Sequence, residues 1–85
     1  MYKDQNSVGA TPYDAALSVQ ECLDHCGSQD SCVAADVDLS KKPPSCWLHF
    51  SKDYLLEHNV YSQPGTNQYR LKDRRVAGPI TGIWF

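Results

Sequence analysis

Ser18–Ser51 reads SVQECLDHCGSQDSCVAADVDLSKKPPSCWLHFS and holds all four cysteines of the 85-residue chain. Ser18-Val19-Gln20-Glu21 has the capping-box form, in which the hydroxyl caps the third helical amide and the glutamate reaches back. Val19, Leu23 and Cys26 then recur at helical spacing, with Cys22 on the same stripe. Gly27 predicts the end of this helix, because glycine tolerates the left-handed conformation there. After a polar turn, Cys32–Asp38 has the composition of a strand with Val33, Ala35 and Val37 on one face. Leu39–Ser45 contains Lys41, Lys42, Pro43 and Pro44 and reads as a loop, since two prolines exclude a central strand. Cys46–Phe50 alternates again, which predicts Cys46, Leu48 and Phe50 inward and Trp47 and His49 outward. The two strands make a hairpin packed on the helix.

The cysteine spacing is C-x3-C-x5-C-x13-C, at Cys22, Cys26, Cys32 and Cys46. Spacing by itself allows three pairings. The placement of helix and hairpin selects one. Cys32 opens its strand just past the helix, beside Cys26, and Cys46 opens the returning strand within reach of Cys22. Nested bridges Cys22–Cys46 and Cys26–Cys32 follow. On the chain-entropy account the wider loop stabilises by about 3.5 kcal/mol and the narrower by about 2.3 kcal/mol.

This segment resembles the core of a PAN/apple domain. That family has a short helix with two cysteines three residues apart, then a cysteine opening a strand of small and apolar residues that ends in an acid. A fourth cysteine follows a variable loop and precedes an apolar-polar-apolar strand. Cys22, Cys26, Cys32 and Cys46 occupy those places, and Glu21, Val33-Ala34-Ala35, Asp38 and Leu48 fit their surroundings. The family's usual nested pairing agrees with the one above. The extra cysteine pair of full apple domains is absent, so the resemblance is to the minimal PAN form. The flanks, 6–17 and 52–72, match the pattern only loosely.

Outward from the core the signals weaken. Residues 1–12 are polar and turn-rich, with a short strand expected around Ser7–Ala10. Lys52–Gln63 reads as loop with a helical turn near Tyr54–Glu57, and Pro64-Gly65 as a turn. Gln68–Leu71 predicts a last strand with Tyr69 and Leu71 inward, followed by the charged Lys72–Arg75. Val76–Phe85 is apolar but broken by Gly78, Pro79 and Gly82. The expected organisation is a PAN/apple-like domain over residues 1–75 and an apolar C-terminal strand or linker over 76–85. Ile80, Ile83, Trp84 and Phe85 would cover the core or meet a partner. The expected fold class is α+β, with one short helix packed on a small antiparallel sheet of about four to five strands and stapled by disulfides.

A chain of 85 residues is one domain. At that size only roughly 60% of the unfolded surface is buried, which explains the need for a covalent staple. The formal net charge of −2 argues against a general attraction to nucleic acid. No run approaches the ~18 apolar residues of a membrane span, so no membrane insertion is expected. Neither a signal-peptide apolar region nor an Asn-x-Ser/Thr sequon is visible, which fits a mature or excised secreted domain.

Two chemical readings compete for the same residues. The four thiols, with His25, His49 and His58, lack the tight C-x2-C ligand pairs that structural zinc sites use, so no metal is expected. A cysteine nucleophile needs a free thiol, and disulfides would consume all four. His25 is expected to face solvent, and Asp24, Asp30, Asp36, Asp38, Asp53 and Glu57 form no evident acid/base pair. No catalytic residue and no cofactor are expected. Lys41, Lys42, Lys72, Arg74 and Arg75 read as solvated loop charges.

The resemblance implies a non-catalytic recognition module of a secreted or cell-surface protein, binding an extracellular protein or glycan. For protein–protein interaction in adhesion or assembly, the expected contacts are Trp47 and His49 with the loop Lys41–Ser45. The alternative is a lectin-like carbohydrate-binding module, for which Trp47, Tyr54 and Tyr61, with His49, Lys52 and Arg70, would supply aromatic faces and polar groups.

Overall fold

A computed structural model describes residues 1–74 and 82–85. Strand β1 (Gln5–Ser7) is followed by β2 (Thr11–Pro12), helix α1 (Val19–Ser28), β3 (Ala34–Asp38) and β4 (Ser45–His49). Two 3₁₀ turns at Lys52–Leu55 and Glu57–Asn59 lead into β5 (Val60–Ser62), β6 (Thr66–Arg74) and β7 (Gly82–Trp84). Five strands form an antiparallel sheet in the order β2-β4-β3-β6-β7, and β1 pairs with β5 in a separate two-stranded sheet. The fold is therefore α+β and disulfide-stapled.

Helix α1 begins where the sequence says it should. The Ser18 hydroxyl accepts a hydrogen bond from the Glu21 amide at 3.1 Å. Glu21 Oε2 reaches back one residue further than a capping box requires and accepts from the Leu17 amide at 3.0 Å. The helix end differs from expectation. Gly27 is buried within the last turn, the helix runs on to Ser28, and Gln29 leaves it in an extended conformation while donating its N–H to Cys26 O at 3.1 Å. The Cys26–Cys32 bridge ties down this exit, so no left-handed cap is needed.

One face of the sheet meets the helix. Ala35 and Val37 of β3, Cys46 and Leu48 of β4, and Cys22, Leu23, Cys26 and Cys32 form a buried core, with Tyr13, Val19, Tyr69 and Trp84 packed around it. Filling the Val37 and Leu48 positions removes about 1.5–3 kcal/mol of apolar exposure each. The nested pairing Cys22–Cys46 and Cys26–Cys32 is present, and both bridges lie in this layer. The edge strand β2 carries Pro12, which an edge tolerates because one side of the strand needs no ladder donor.

The other face is covered by β1 and the segment that follows β4, and here several expectations change. The short N-terminal strand is Gln5–Ser7, not Ser7–Ala10. Gly9 takes φ +84 and turns the chain towards β2. A Cβ at Gly9 would collide with the Tyr54 ring, so the ring rests directly on that backbone. Within the stretch read as loop, Lys52–Gln63, the chain also contributes β5, whose partner Gln5–Ser7 is distant in sequence. The Pro64-Gly65 turn is as read, with Gly65 at φ +87 and Thr66 N bonded to Gln63 O at 3.1 Å. The last strand extends beyond Gln68–Leu71 to Thr66–Arg74, with Tyr69 against the core and Leu71 half-buried. Of the apolar tail, Gly82–Trp84 is the terminal strand β7 on β6. Arg75 and the tail residues 76–81 lie outside the described residues.

Two outward or inward assignments reverse. His49, read as outward, is 0% exposed, and Phe50, read as inward, is 42% exposed. Strand β4 ends at His49, so alternation no longer governs Phe50, while His49 points to the sheet face that β1 and Tyr54 cover. His25 is not free in solvent either. It is half-buried and stacks on Tyr13 with ring centroids 3.7 Å apart.

Candidate functional site

Beneath the surface, the covered sheet face holds a polar network. Asp36 of β3 and Gln68 of β6 are direct cross-strand partners, and both are fully buried. Asp36 Oδ1 accepts from Gln68 Nε2 at 2.8 Å, and Asp36 Oδ2 accepts from the Ser7 amide at 3.0 Å. His49 Nε2 lies 2.6 Å from Asp36 Oδ2. With the carboxylate as acceptor, we assign the shared hydrogen to Nε2. Gln68 Nε2 also donates to Ser7 Oγ at 2.7 Å. His49 Nδ1 is buried without a hydrogen-bond partner among the described residues.

By sequence Asp36 is one scattered acid among several. Its signal is its place within Val33-Ala34-Ala35-Asp36-Val37: a carboxylate inside an apolar strand must find donors, because an unpaired buried charge is costly. Asp36 and His49 make an acid–base pair in composition, but both side chains are fully buried. The arrangement ties four strands together, β1 through Ser7, β3 through Asp36, β4 through His49 and β6 through Gln68.

The network reaches the surface at Arg70. Gln68 Oε1 accepts from Arg70 Nε at 2.8 Å, and the guanidinium carbon sits 4.1 Å from the centroid of the Tyr2 ring. Arg70 is thus held from below and from the side. It borders two open clefts. One, of about 500 Å³, is mixed, with Asp4, Glu57 and Ser62 in its wall beside Leu55, Val60 and Tyr61. The other, of about 590 Å³, has Leu55, Leu56 and Phe85 beside Lys52, Arg70 and Lys72.

A third, shallower groove of about 340 Å³ lies elsewhere, with Trp47, Tyr61, Val8 and Asn6 in its lining. Trp47 pairs with Asp36 and lies on the same sheet face, yet is exposed, and Asn6 Nδ2 donates to Tyr61 Oη at 2.7 Å.

The residues proposed from sequence therefore divide. Lys52 and Arg70 share one cleft. Trp47 and Tyr61 share another. His49 lies beneath the surface, and half-buried Tyr54 packs over it with ring centroids 5.9 Å apart. Tyr61 also lines the first cleft with Arg70, whereas Trp47 shares none of these clefts with Lys52 or Arg70. Lys41 and Lys42 are exposed in the β3–β4 loop, where Asp38 accepts from the Ser40 hydroxyl at 2.6 Å.

Among the described residues no cluster of three or more His, Cys, Asp and Glu side chains is placed to hold a metal ion. All four cysteines are in disulfides. No described helix is long and apolar enough to cross a membrane. A scan against protein-family models matches none of them, and searches of curated proteins and of solved structures return no match.

Proposed function

We propose that this chain is a non-catalytic extracellular recognition module of the PAN/apple kind, mediating protein–protein interaction in adhesion or assembly within a larger secreted or cell-surface protein. The observation that carries the reading is the Trp47 groove. Trp47, Tyr61 and Val8 are 40%, 45% and 48% exposed and line one concavity on a framework locked by two disulfides. Tryptophan and tyrosine in rigid, partly enclosed settings are the residues on which protein interfaces concentrate their binding energy. Paired cysteines suit an oxidising compartment. The sealed Asp36–His49 pair and the absence of a free thiol favour recognition over catalysis.

Trp47→Ala provides the test. Capture from extracellular fluid by the intact domain and by the variant, with Tm measured for both, separates a contact residue from a packing residue. The expected result is an unchanged Tm and loss of a partner that the parent domain retains. A lowered Tm with the partner still captured would make Trp47 structural and remove the basis of the reading.

One observation favours a second reading. The Asn6 amide beside the Trp47 and Tyr61 rings is the ring-and-amide combination that suits a sugar. A glycan array that includes neutral and sulfated sugars decides it. Selective, Trp47-dependent binding of one sugar class would replace the protein partner with a glycan.

A further inference from the structure

We infer that the cleft between the Lys52–Leu55 turn and β6 is a second, separate binding site, and that it takes a short extended peptide segment carrying acidic and apolar side chains. The inference rests on the reading of the chain as a recognition module but not on the Trp47 groove, with which this cleft shares no lining residue.

The charge argument begins with Arg70. Its Nε is committed to Gln68, its face is stacked on Tyr2, and the terminal guanidinium nitrogens have no hydrogen-bond partner among the described residues. A half-buried guanidinium held rigidly with its fork unused is preorganised for a carboxylate. Lys52 and Lys72 are exposed on the same cleft. Neither they nor Arg70 has a carboxylate within ion-pair distance among the described residues. The lining contains three cations and one acid, Asp73, on a chain whose net charge is −2. The cleft is therefore a positive site on a negative protein, which attracts and orients an anionic partner.

The floor selects the class of anion. Leu56 and Phe85 are 51% and 50% exposed, and Leu55 and Leu71 continue the apolar surface between the cations. A sulfated sugar has no aliphatic side chain to cover these groups. A peptide alternating carboxylates with Leu or Phe satisfies both the rim and the floor. The cleft is open rather than enclosed, which suits a chain passing through it.

Fluorescence anisotropy with short labelled peptides tests this directly, using peptides in which glutamates flank a Leu-Phe pair and counterparts with glutamine or lysine in their place. The glutamate peptide should bind at least about tenfold more tightly than the glutamine one, a difference of about 1.4 kcal/mol. Binding should weaken as salt rises, since the screening length falls to about 3 Å at 1 M. The exposed pair Lys52→Glu with Lys72→Glu should lose the peptide, and Trp47→Ala should retain it. Equal affinity for glutamate and glutamine peptides, or no peptide binding at all, overturns the inference without any reliance on a protein variant. Binding of heparin or of phosphatidylserine vesicles in place of the peptide overturns it too, by assigning the cleft to another anion. Retained peptide binding by Trp47→Ala alongside loss of the captured partner would separate the two sites.

Discussion

Adjacent residues of β3, Ala35 and Asp36, look in opposite directions and end in different kinds of interior. Ala35 and Val37 meet helix α1 in a layer of small apolar side chains crossed by both disulfides. Asp36 meets His49, Gln68 and Ser7 in a layer joined by hydrogen bonds. Both layers are buried, and both hold the same strand. The helix side is closed by covalent bonds between segments near in sequence. The other side is closed by polar groups from strands at opposite ends of the chain, Ser7 and Gln68. A thin domain thus solves the problem of a second face without a second apolar core.

The largest expected effect lies on the polar side. His49→Ala deletes the closest partner of Asp36 and leaves a buried carboxylate under-satisfied, a change that costs about 3–5 kcal/mol in buried pairs. Urea unfolding of the oxidised protein measures it. A loss below about 1 kcal/mol would mean that water or a shifted side chain replaces His49 readily. The polar layer would then be a tolerated irregularity, and the contrast between the faces would fail.

The apolar side is tested next, by its staples. Cys22–Cys46 closes a sequence separation of 24 and Cys26–Cys32 one of 6. Replacing the first pair by alanines should cost about 3.5 kcal/mol and the second about 2.3 kcal/mol, on loop entropy. Because the loops are nested, the combined loss should fall short of the sum. Thermal unfolding with calorimetry checks the order. A larger loss from the shorter bridge would show that it acts by holding the helix exit at Gln29 rather than by restricting the unfolded chain.

These two layers also differ in how far the sequence discloses them. Helix α1, the β3–β4 hairpin and the disulfide pairing are legible because their signals are local: a cap at Ser18, a helical stripe of cysteines and short alternating runs. The polar layer is not. Alternation in Cys46–Phe50 assumes one wet face, so it sends His49 outward, whereas β3 is covered on both sides and Ala34 to Val37 are all buried. Strands β1 and β5 carry no periodic signal and exist through each other, Gln5 pairing with Ser62. Of the proposed contact residues, Trp47 lies at the surface as read, in a groove that it shares with β1 and the turn after it. That Lys52 and Arg70 meet, and that Trp47 stands apart from them, depends on the long path from β4 to β6, which no spacing rule describes.

The smallest effect marks where the polar layer ends. Asp38 stands two residues beyond Asp36, in the same alternation, but at the open end of β3. The Ser40 hydroxyl, donating to Oδ1 at 2.6 Å, holds its carboxyl below the ordinary carboxylate value; slight burial opposes this, and the Ser40 amide and Lys41 assist. A carboxyl whose folded pKa is depressed adds stability that is present above its unfolded pKa, about 3.9, and lost as pH falls through the lower folded value. Ser40→Ala should move the Asp38 titration, followed by NMR of its side-chain carboxyl, back towards the ordinary value. Because the group is largely solvated, stability near pH 7 should change by only a few tenths of a kcal/mol. If instead Ser40→Ala destabilises the domain as strongly as His49→Ala, then Asp38 belongs to the buried network. The polar layer would then run the full length of β3 and not stop at its centre.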